Sequence, residues 1–451
     1  MKIIIVGGGK VGTSLVAQLA GEAHNIVVVD TNEDSINRIT NRYDAMGILG
    51  NGVSYTTLQE AGVKSADLLI AVTGSDEQNL LCCLIAKKAG HCKTIARVSN
   101  PIYYDEISFL KREFDLELII NPEYTAASEM ARVLQFPSAI KIDSFVRGGV
   151  ELFHFHINEG SPLAGMSMSE IRNNMKSRIL FCTVRREDDV FIPNGAFVLQ
   201  SGDTVGIVGS RADAIAFYKH LGLLANRANS VMIAGGGRIS YYLAERLLRS
   251  GIETTIVEMD YDRCEELTTL LPQATILHGN VADQRLLEEE GLHNYEGFAA
   301  LTGLDEENIM ISLYAKSNSN AKVITKINRI NFASVINSLQ LDTIVNPQLL
   351  TADYILRCIR SMNNSPNSEV ENLYQLEDGR AEALEFRIKE ASAVTGKPLQ
   401  ELKLQKNTLI CSIYRNGKNI VPSGQDTIEV GDSVIVVLAG RHISDIKEIL
   451  R

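Results

Sequence analysis

Gly7-Gly8-Gly9-Lys10-Val11-Gly12 stands directly after an apolar run, Ile3–Val6, and directly before a stretch of helical period. The pattern is G-x-G-x-x-G, and the chemistry it suits is the binding of a pyrophosphate. The first glycine permits a tight turn, the second lets backbone approach the phosphates, and the third allows helix and sheet to pack closely. The anion would rest at the helix N-terminus, where unpaired N–H groups and the helix dipole favour negative charge. Asp30 follows at the end of the next apolar run, Ile26–Val29, at the spacing where a carboxylate accepts from ribose hydroxyls. A glycine turn can also serve packing alone. Strand, glycine loop, helix, strand and acid in this order point instead to a nucleotide, and Asp30 rather than an Arg at this place favours NAD over NADP. The loop is not a P-loop, because Thr13 occupies the place where that motif carries Lys.

The same chemistry recurs in the second half. Gly235-Gly236-Gly237-Arg238-Ile239-Ser240 repeats the loop with Ser in the last place, and Glu258 stands where Asp30 does. Its longer side chain can still accept from a ribose, and Asp260 is the weaker alternative. Leu49-Gly50-Asn51 returns as His278-Gly279-Asn280, and Thr73-Gly74 as Thr302-Gly303. Asp76, Glu77 and Asn79 return as Asp305, Glu306 and Asn308; Arg97 returns as Lys326, and Asn121-Pro122 as Asn346-Pro347. Thr73-Gly74 and Thr302-Gly303 end apolar runs at the carboxyl edge, where such sheets hold ligands. Arg97 and Lys326 end the following runs, placed to meet phosphates. The candidate contacts are therefore the two glycine loops with Asp30, Asn51, Thr73, Gly74 and Arg97 in the first copy. In the second they are Glu258, Asn280, Thr302, Gly303 and Lys326.

These residues need a scaffold, and the first copy spells one. Apolar runs at Ile3–Val6, Ile26–Val29, Ala45–Leu49, Leu68–Val72, Thr94–Val98 and Leu118–Ile120 alternate with helical patterns at 14–19, 34–41, 56–61 and 77–88. Continuous Val/Ile/Leu runs mark strands buried on both faces, and βαβ alternation implies right-handed crossovers and a parallel sheet. The expected fold is a doubly wound, Rossmann-type domain.

A second, smaller unit also repeats. Ser161-Pro162-Leu163-Ala164-Gly165 parallels Ser392-Ala393-Val394-Thr395-Gly396, and Ile179–Gly209 parallels Leu409–Leu438. Alternation at Leu152–Ile157, further strands at Ile179–Val184 and Thr204–Val208, and a helix at 212–221 describe a small α+β unit. His154 and His156 share one face of its first strand, opposite Phe153 and Phe155, and read as a solvated sheet face rather than a metal site. The expected domains are 1–139, 140–225, 229–360 and 373–451, with the polar stretch at 360–372 as a linker.

Composition narrows the function classes. The chain has 451 residues with 44 basic against 55 acidic, a net charge of −11, which disfavours nucleic-acid partners. No apolar run approaches the ~18 residues of a membrane span, and the start runs straight into the glycine loop, so direct membrane insertion is not expected. The 7 cysteines show no zinc spacing; Cys82, Cys83 and Cys411 read as core thiols, and no metal site is expected. No Ser/His/Asp or Cys/His constellation has usable context, so no catalytic residue is assigned. An NAD-dependent dehydrogenase would need a substrate domain that brings an acid/base group to the nicotinamide, and the small units offer none.

Two tandem Rossmann-type units, each followed by a small α+β unit, resemble the RCK (KTN) regulators of potassium conductance over essentially the whole chain. The resemblance rests on GGGKVG with Asp30, VTGSDExN at Val72–Asn79, IAR at Ile95–Arg97 and their second-copy counterparts. It implies NAD(H) and ATP/ADP as ligands, and four chains supplying eight Rossmann units to a cytoplasmic ring. That ring would sit peripherally on the inner face of the plasma membrane, docked on a Trk-type membrane potassium channel subunit that it gates.

Overall fold

Ile3, Ile4 and Ile5 are fully buried, as a strand covered on both faces requires; such burial stabilises by roughly 1.5–3 kcal/mol per side chain. They belong to a computed structural model that describes the chain except residues 22–23, 102, 104–105, 136–140, 145–149, 175–177, 188, 222–227, 329–338, 340, 364–369, 378–379, 442 and 444. The domain boundaries expected at 139 and 225 lie outside the described residues, as does much of the linker expected at 360–372.

The first large domain carries β1 (Lys2–Val6), β2 (Asn25–Asp30), β3 (Met46–Leu49), β4 (Leu68–Ala71), β5 (Lys93–Arg97) and β6 (Leu118–Ile120). Between them run α1 (Lys10–Leu19), α2 (Glu33–Thr40), α3 (Tyr55–Glu60), α4 (Asp76–Gly90) and α5 (Ile107–Glu113), and α6 (Pro122–Gln135) follows β6. The strands form one parallel sheet in the order β3-β2-β1-β4-β5-β6. The chain reverses direction across the sheet between β1 and β4, the switch point at which doubly wound sheets open a ligand crevice. Local chemistry starts the intervening helices: Asn32, Ser54 and Ser75 accept from backbone N–H groups and cap α2, α3 and α4.

The first small domain holds β7 (Lys141–Ser144), β8 (Glu151–His156), β9 (Leu180–Arg186), β10 (Asp189–Phe191) and β11 (Thr204–Gly209), with α7 (Met168–Asn174) and α8 (Arg211–His220). Its sheet is antiparallel, ordered β10-β9-β11-β8-β7. The second large domain repeats the first with β12 (Ser230–Ala234), β13 (Glu253–Glu258), β14 (Thr275–His278), β15 (Gly297–Ala300), β16 (Lys322–Lys326) and β17 (Thr343–Val345). Its helices are α9 (Arg238–Arg249), α10 (Tyr261–Leu270), α11 (Gln284–Glu289), α12 (Asp305–Asn318) and α13 (Pro347–Asn363), and its sheet is parallel in the equivalent order. The last small domain has β18 (Val370–Leu376), β19 (Ala381–Arg387), β20 (Thr408–Arg415), β21 (Lys418–Ile420) and β22 (Ser433–Ala439), an antiparallel sheet ordered β18-β19-β22-β20-β21.

Order in the chain is not order in space. Residues 1–131 and 229–358 form one compact unit, and residues 132–228 and 359–451 form another. The two large domains thus share a unit, and so do the two small ones. In the latter, Leu152, Cys182 and Val208 of one sheet join Tyr374, Cys411 and Val437 of the other in a single apolar cluster.

That packing corrects one expectation. His154 is buried, not solvated: the second small domain covers its face, and His154 Nδ1 lies 3.3 Å from the Glu377 carboxylate. His156, two residues on, is exposed. Periodicity alone could not distinguish a wetted face from one covered by a remote repeat.

Candidate functional site

The glycine loop begins where β1 ends. Gly7 has φ +108°, and a Cβ there would lie 2.9 Å from the Val72 backbone, so conformation and space both demand glycine. Its N–H bonds the Val29 carbonyl at 2.8 Å, which ties the loop to β2. Gly12 packs α1 onto the loop so closely that a Cβ would fall 1.9 Å from the Gly7 carbonyl oxygen. Gly8 packs toward Ile39 and Ser35 of α2.

Gly9 behaves differently. Its φ of −68° is open to any residue, and a Cβ there would meet nothing within 4 Å. The same emptiness surrounds Gly237, Gly74 and Gly303, none of which has a positive φ. Nothing in the fold requires glycine at these four positions, so their smallness leaves room for something outside the fold. No side chain caps α1 or α9, and neither first turn carries an acid, so their leading N–H groups remain available to an anion.

Asp30 closes the loop from the side. One carboxylate oxygen accepts from Gly8 N at 2.5 Å and the other from Asn32 N at 2.8 Å, while its carbonyl takes Gly50 N at 2.9 Å. Asn51 turns the next segment by accepting from Val53 N at 3.1 Å. At the end of β4, Asn79 is fully buried and its amide does four things. The oxygen accepts from Thr73 N at 2.8 Å and Thr73 Oγ1 at 2.7 Å; the nitrogen donates to the carbonyls of Thr73 and Arg97 at 3.3 and 3.0 Å. One side chain therefore sets the carboxyl ends of β4 and β5 relative to each other. Arg97 itself donates to Glu123, at the start of α6, at 3.0 Å.

A cavity of about 740 Å³ opens over these groups, within the range of small-molecule sites. Gly7, Gly9, Lys10, Val11, Asp30, Asn51, Thr73, Gly74 and Arg97 all line it, while Gly8 and Gly12 lie behind the loop. The second copy contributes Gly237, Arg238, Ile239 and Lys326 to the same cavity. Four cations thus face two acids, Asp30 and Glu123. The side chains of Lys10 and Arg238 make no hydrogen bond or ion pair with the described residues. Lys326 donates to the Leu301 carbonyl at 3.1 Å, and burial holds its ammonium below the usual lysine range, opposed by Asp305 and reinforced by Lys10.

The remaining second-copy candidates assemble at their own sheet edge, away from that cavity's lining. Glu258 accepts from Gly236 N at 2.5 Å and Asp260 N at 2.8 Å, and its carbonyl takes Gly279 N at 2.9 Å. Gly235 abuts Thr302, and Asn280 turns its segment by accepting from Ala282 N at 2.9 Å. Asn308 repeats Asn79, taking Thr302 N at 2.8 Å and donating to the carbonyls of Thr302 and Lys326 at 3.2 and 3.0 Å. Gly303 stands at the end of β15, as Gly74 does at β4. Asp260 caps α10 instead of serving the loop.

Glu123, Asn328 and Gln348 line the cavity and Asn79 braces it, and of these the sequence marks Asn79 alone, through its recurrence as Asn308. No such signal marked Glu123 or Gln348. Among the described residues, no group of three or more His, Cys, Asp or Glu could hold a metal ion, and no helix is long and apolar enough to cross a membrane.

Family models of the TrkA-N domain match residues 3–122 and 231–347, and those of the TrkA-C domain match residues 152–222 and 383–451. The chain is 32% identical to the Trk system potassium uptake protein TrkA of Halomonas elongata, across 100% of this chain and 99% of that one. Among solved structures, the GsuK RCK domain superposes with a TM-score of 0.65 at 18% identity, covering 97% of this chain and 92% of that one. The GsuK channel bound to NAD superposes with a TM-score of 0.66 at 18% identity, covering 97% of this chain and 76% of that one. These likenesses support the doubly wound RCK architecture, and the family matches account for both repeats: the chain belongs to the TrkA family of Trk-system potassium uptake proteins.

Proposed function

We propose that this chain is a nucleotide-sensing regulatory subunit without catalytic activity. It assembles as a homo-tetramer into a ring on the inner face of the membrane, and gates a Trk-type potassium channel subunit in response to NAD(H) and ATP/ADP. The observation that carries the nucleotide part is the set of glycines at positions 9, 74, 237 and 303, which no φ angle and no protein neighbour requires. Gly9 and Gly237 stand at helix N-termini that no side chain caps, and Gly9, Gly74 and Gly237 line a cavity with four cations. Such a site suits a ligand with more than one phosphate. The ribose acids Asp30 and Glu258, and the NAD held by the GsuK channel of like fold, support a dinucleotide.

Gating follows from differential binding. A ligand shifts a two-state equilibrium only by its difference in affinity for the two states. One site worth ~1–3 kcal/mol of coupling shifts it about 5- to 150-fold, while a swing from 1:99 to 99:1 takes about 5.5 kcal/mol. Several equivalent sites in one ring multiply modest selectivity into a switch.

The test has two arms. Calorimetric titration of NAD, NADH, ATP and ADP into the full chain should show binding. Reconstitution with its channel subunit in liposomes should give potassium flux that responds to those nucleotides. Flux indifferent to the chain and its nucleotides, or robust NADH turnover against hydroxy acids or ketones, would overturn the proposal.

A further inference from the structure

We propose that Tyr242, in the second copy, is a positioning residue for the first copy's nucleotide site, and that this service is not returned. The inference rests on the proposed nucleotide reading and concerns how the phosphate end of that cavity is built.

Arg238 and Tyr242 are four residues apart in α9 and so share one helix face. Arg238 lines the cavity of the first copy. Tyr242, one turn further in, is 3% exposed and locks that face onto the first copy. Its hydroxyl donates to the Ser99 carbonyl at 3.2 Å and accepts from Asn121 Nδ2 at 3.0 Å. Its ring meets that of Tyr124 edge-on at 5.6 Å, and Arg246 donates to the Tyr124 hydroxyl at 2.7 Å.

Those partners also hold the cavity wall. Ser99 follows Arg97 at the end of β5, and its N–H donates to Asp76 at 2.9 Å. Asn121 directly precedes Pro122 and Glu123, which line the cavity, and Glu123 holds Arg97. A buried polar node therefore joins the segment that carries Arg97 to the helix that carries Arg238. A phosphate-rich ligand would meet two cations whose separation this node sets.

The repeat supplies an internal control. The position of Tyr242 is occupied in α1 by Ser14, that of Arg246 by Gln18, and that of Tyr124 in α13 by Leu349. At these three positions the reciprocal seam has no aromatic ring, no phenol and no guanidinium to make the node. Lys10 is accordingly presented without the anchor that Arg238 has, and the first copy is the one with a braced phosphate end.

The experiment titrates ADP and adenosine separately into the full chain carrying Tyr242→Phe, which keeps the ring and removes the hydroxyl. With both hydroxyl bonds gone and Arg238 no longer held in place, ADP affinity should fall about 2- to 10-fold, about what one hydrogen bond to the ligand is worth, with adenosine changed less than twofold. In an Arg238→Ala background the same substitution should have little further effect, since there is no longer a guanidinium to position. Asn121→Ala should reproduce the ADP loss by the other partner, and Ser14→Ala should leave ADP binding unchanged. Tyr242→Phe binding ADP as the parent does, losing adenosine equally, or keeping its full effect without Arg238 would overturn the inference. A parent chain that binds neither ADP nor NAD would instead bring down the nucleotide reading itself.

Discussion

The two large domains are copies of one fold that have diverged where a phosphate would lie. In the first, β5 ends in Arg97, paired at 3.0 Å with Glu123. In the second, β16 ends in Lys326, and Gln348 stands in the place of Glu123. The first glycine loop closes on Gly12; the second closes on Ser240, fully buried with an Oγ that has no hydrogen-bond partner among the described residues. What both copies keep is the frame: the acid on the loop N–H, the buried Asn79 or Asn308, and the open glycines. The sign of each cation and of the loop acid is also kept, so the charge difference at these positions comes down to Glu123 in the first copy against neutral Gln348 in the second.

The largest contrast lies in the loop. A side chain at Gly12 collides with the Gly7 carbonyl, whereas the second loop has already made room for one. Gly12→Ser should therefore destabilise the chain by roughly 3 kcal/mol, from overpacking together with a buried hydroxyl. Ser240→Ala should stabilise it by about 1 kcal/mol, because it removes an unsatisfied polar atom. Denaturant midpoints of the two variants check this. Equal and opposite small shifts, or no loss for Gly12→Ser, would mean the loops are interchangeable.

Asp30 and Glu258, the acids proposed to meet ribose, should separate next. Asp30 borders the shared cavity and Glu258 does not. Loss of a charged hydrogen bond is worth roughly 1.5–3 kcal/mol, so Asp30→Ala should weaken nucleotide binding about 10- to 100-fold at the first site and leave the second largely intact. Glu258→Ala should do the reverse. A titration resolving both sites, with either substitution weakening them alike, would break the assignment of one acid to each copy.

Much of this frame was legible in the sequence because it is local and periodic. The runs of β1, β2 and β4 are continuous and apolar through their centres, and parallel strands buried on both faces leave that record. The repeat then gave a second reading of every element. What escaped depends on long-range placement. That α9 brings Arg238 to the first cavity follows from how two sheets dock, and no spacing within either copy encodes it. His154 failed for the same reason: alternation in β8 fixes that it faces away from Phe153 and Phe155, while the cover over that face comes from a turn more than two hundred residues on. Asn79 lay in plain view inside a motif, but its role needed the geometry of two strand ends.

The smallest effect sharpens the contrast between Arg97 and Lys326. A guanidinium stays charged across the accessible pH range, whereas burial holds the Lys326 ammonium below the ordinary lysine value. A lysine whose folded pKa is lowered binds fewer protons than the unfolded chain between the two values, so stability should rise with pH through that alkaline window. Phosphate binding should move oppositely, weakening as Lys326 loses its charge, because the anion interacts with the charged form alone. Lys326→Arg should flatten the alkaline fall in ADP affinity while leaving affinity at neutral pH within a few-fold. Arg97→Lys should introduce little pH dependence if Glu123 keeps the new ammonium charged, as an adjacent carboxylate does. An alkaline fall in ADP affinity that survives Lys326→Arg would place the titrating group elsewhere, and with it the phosphate.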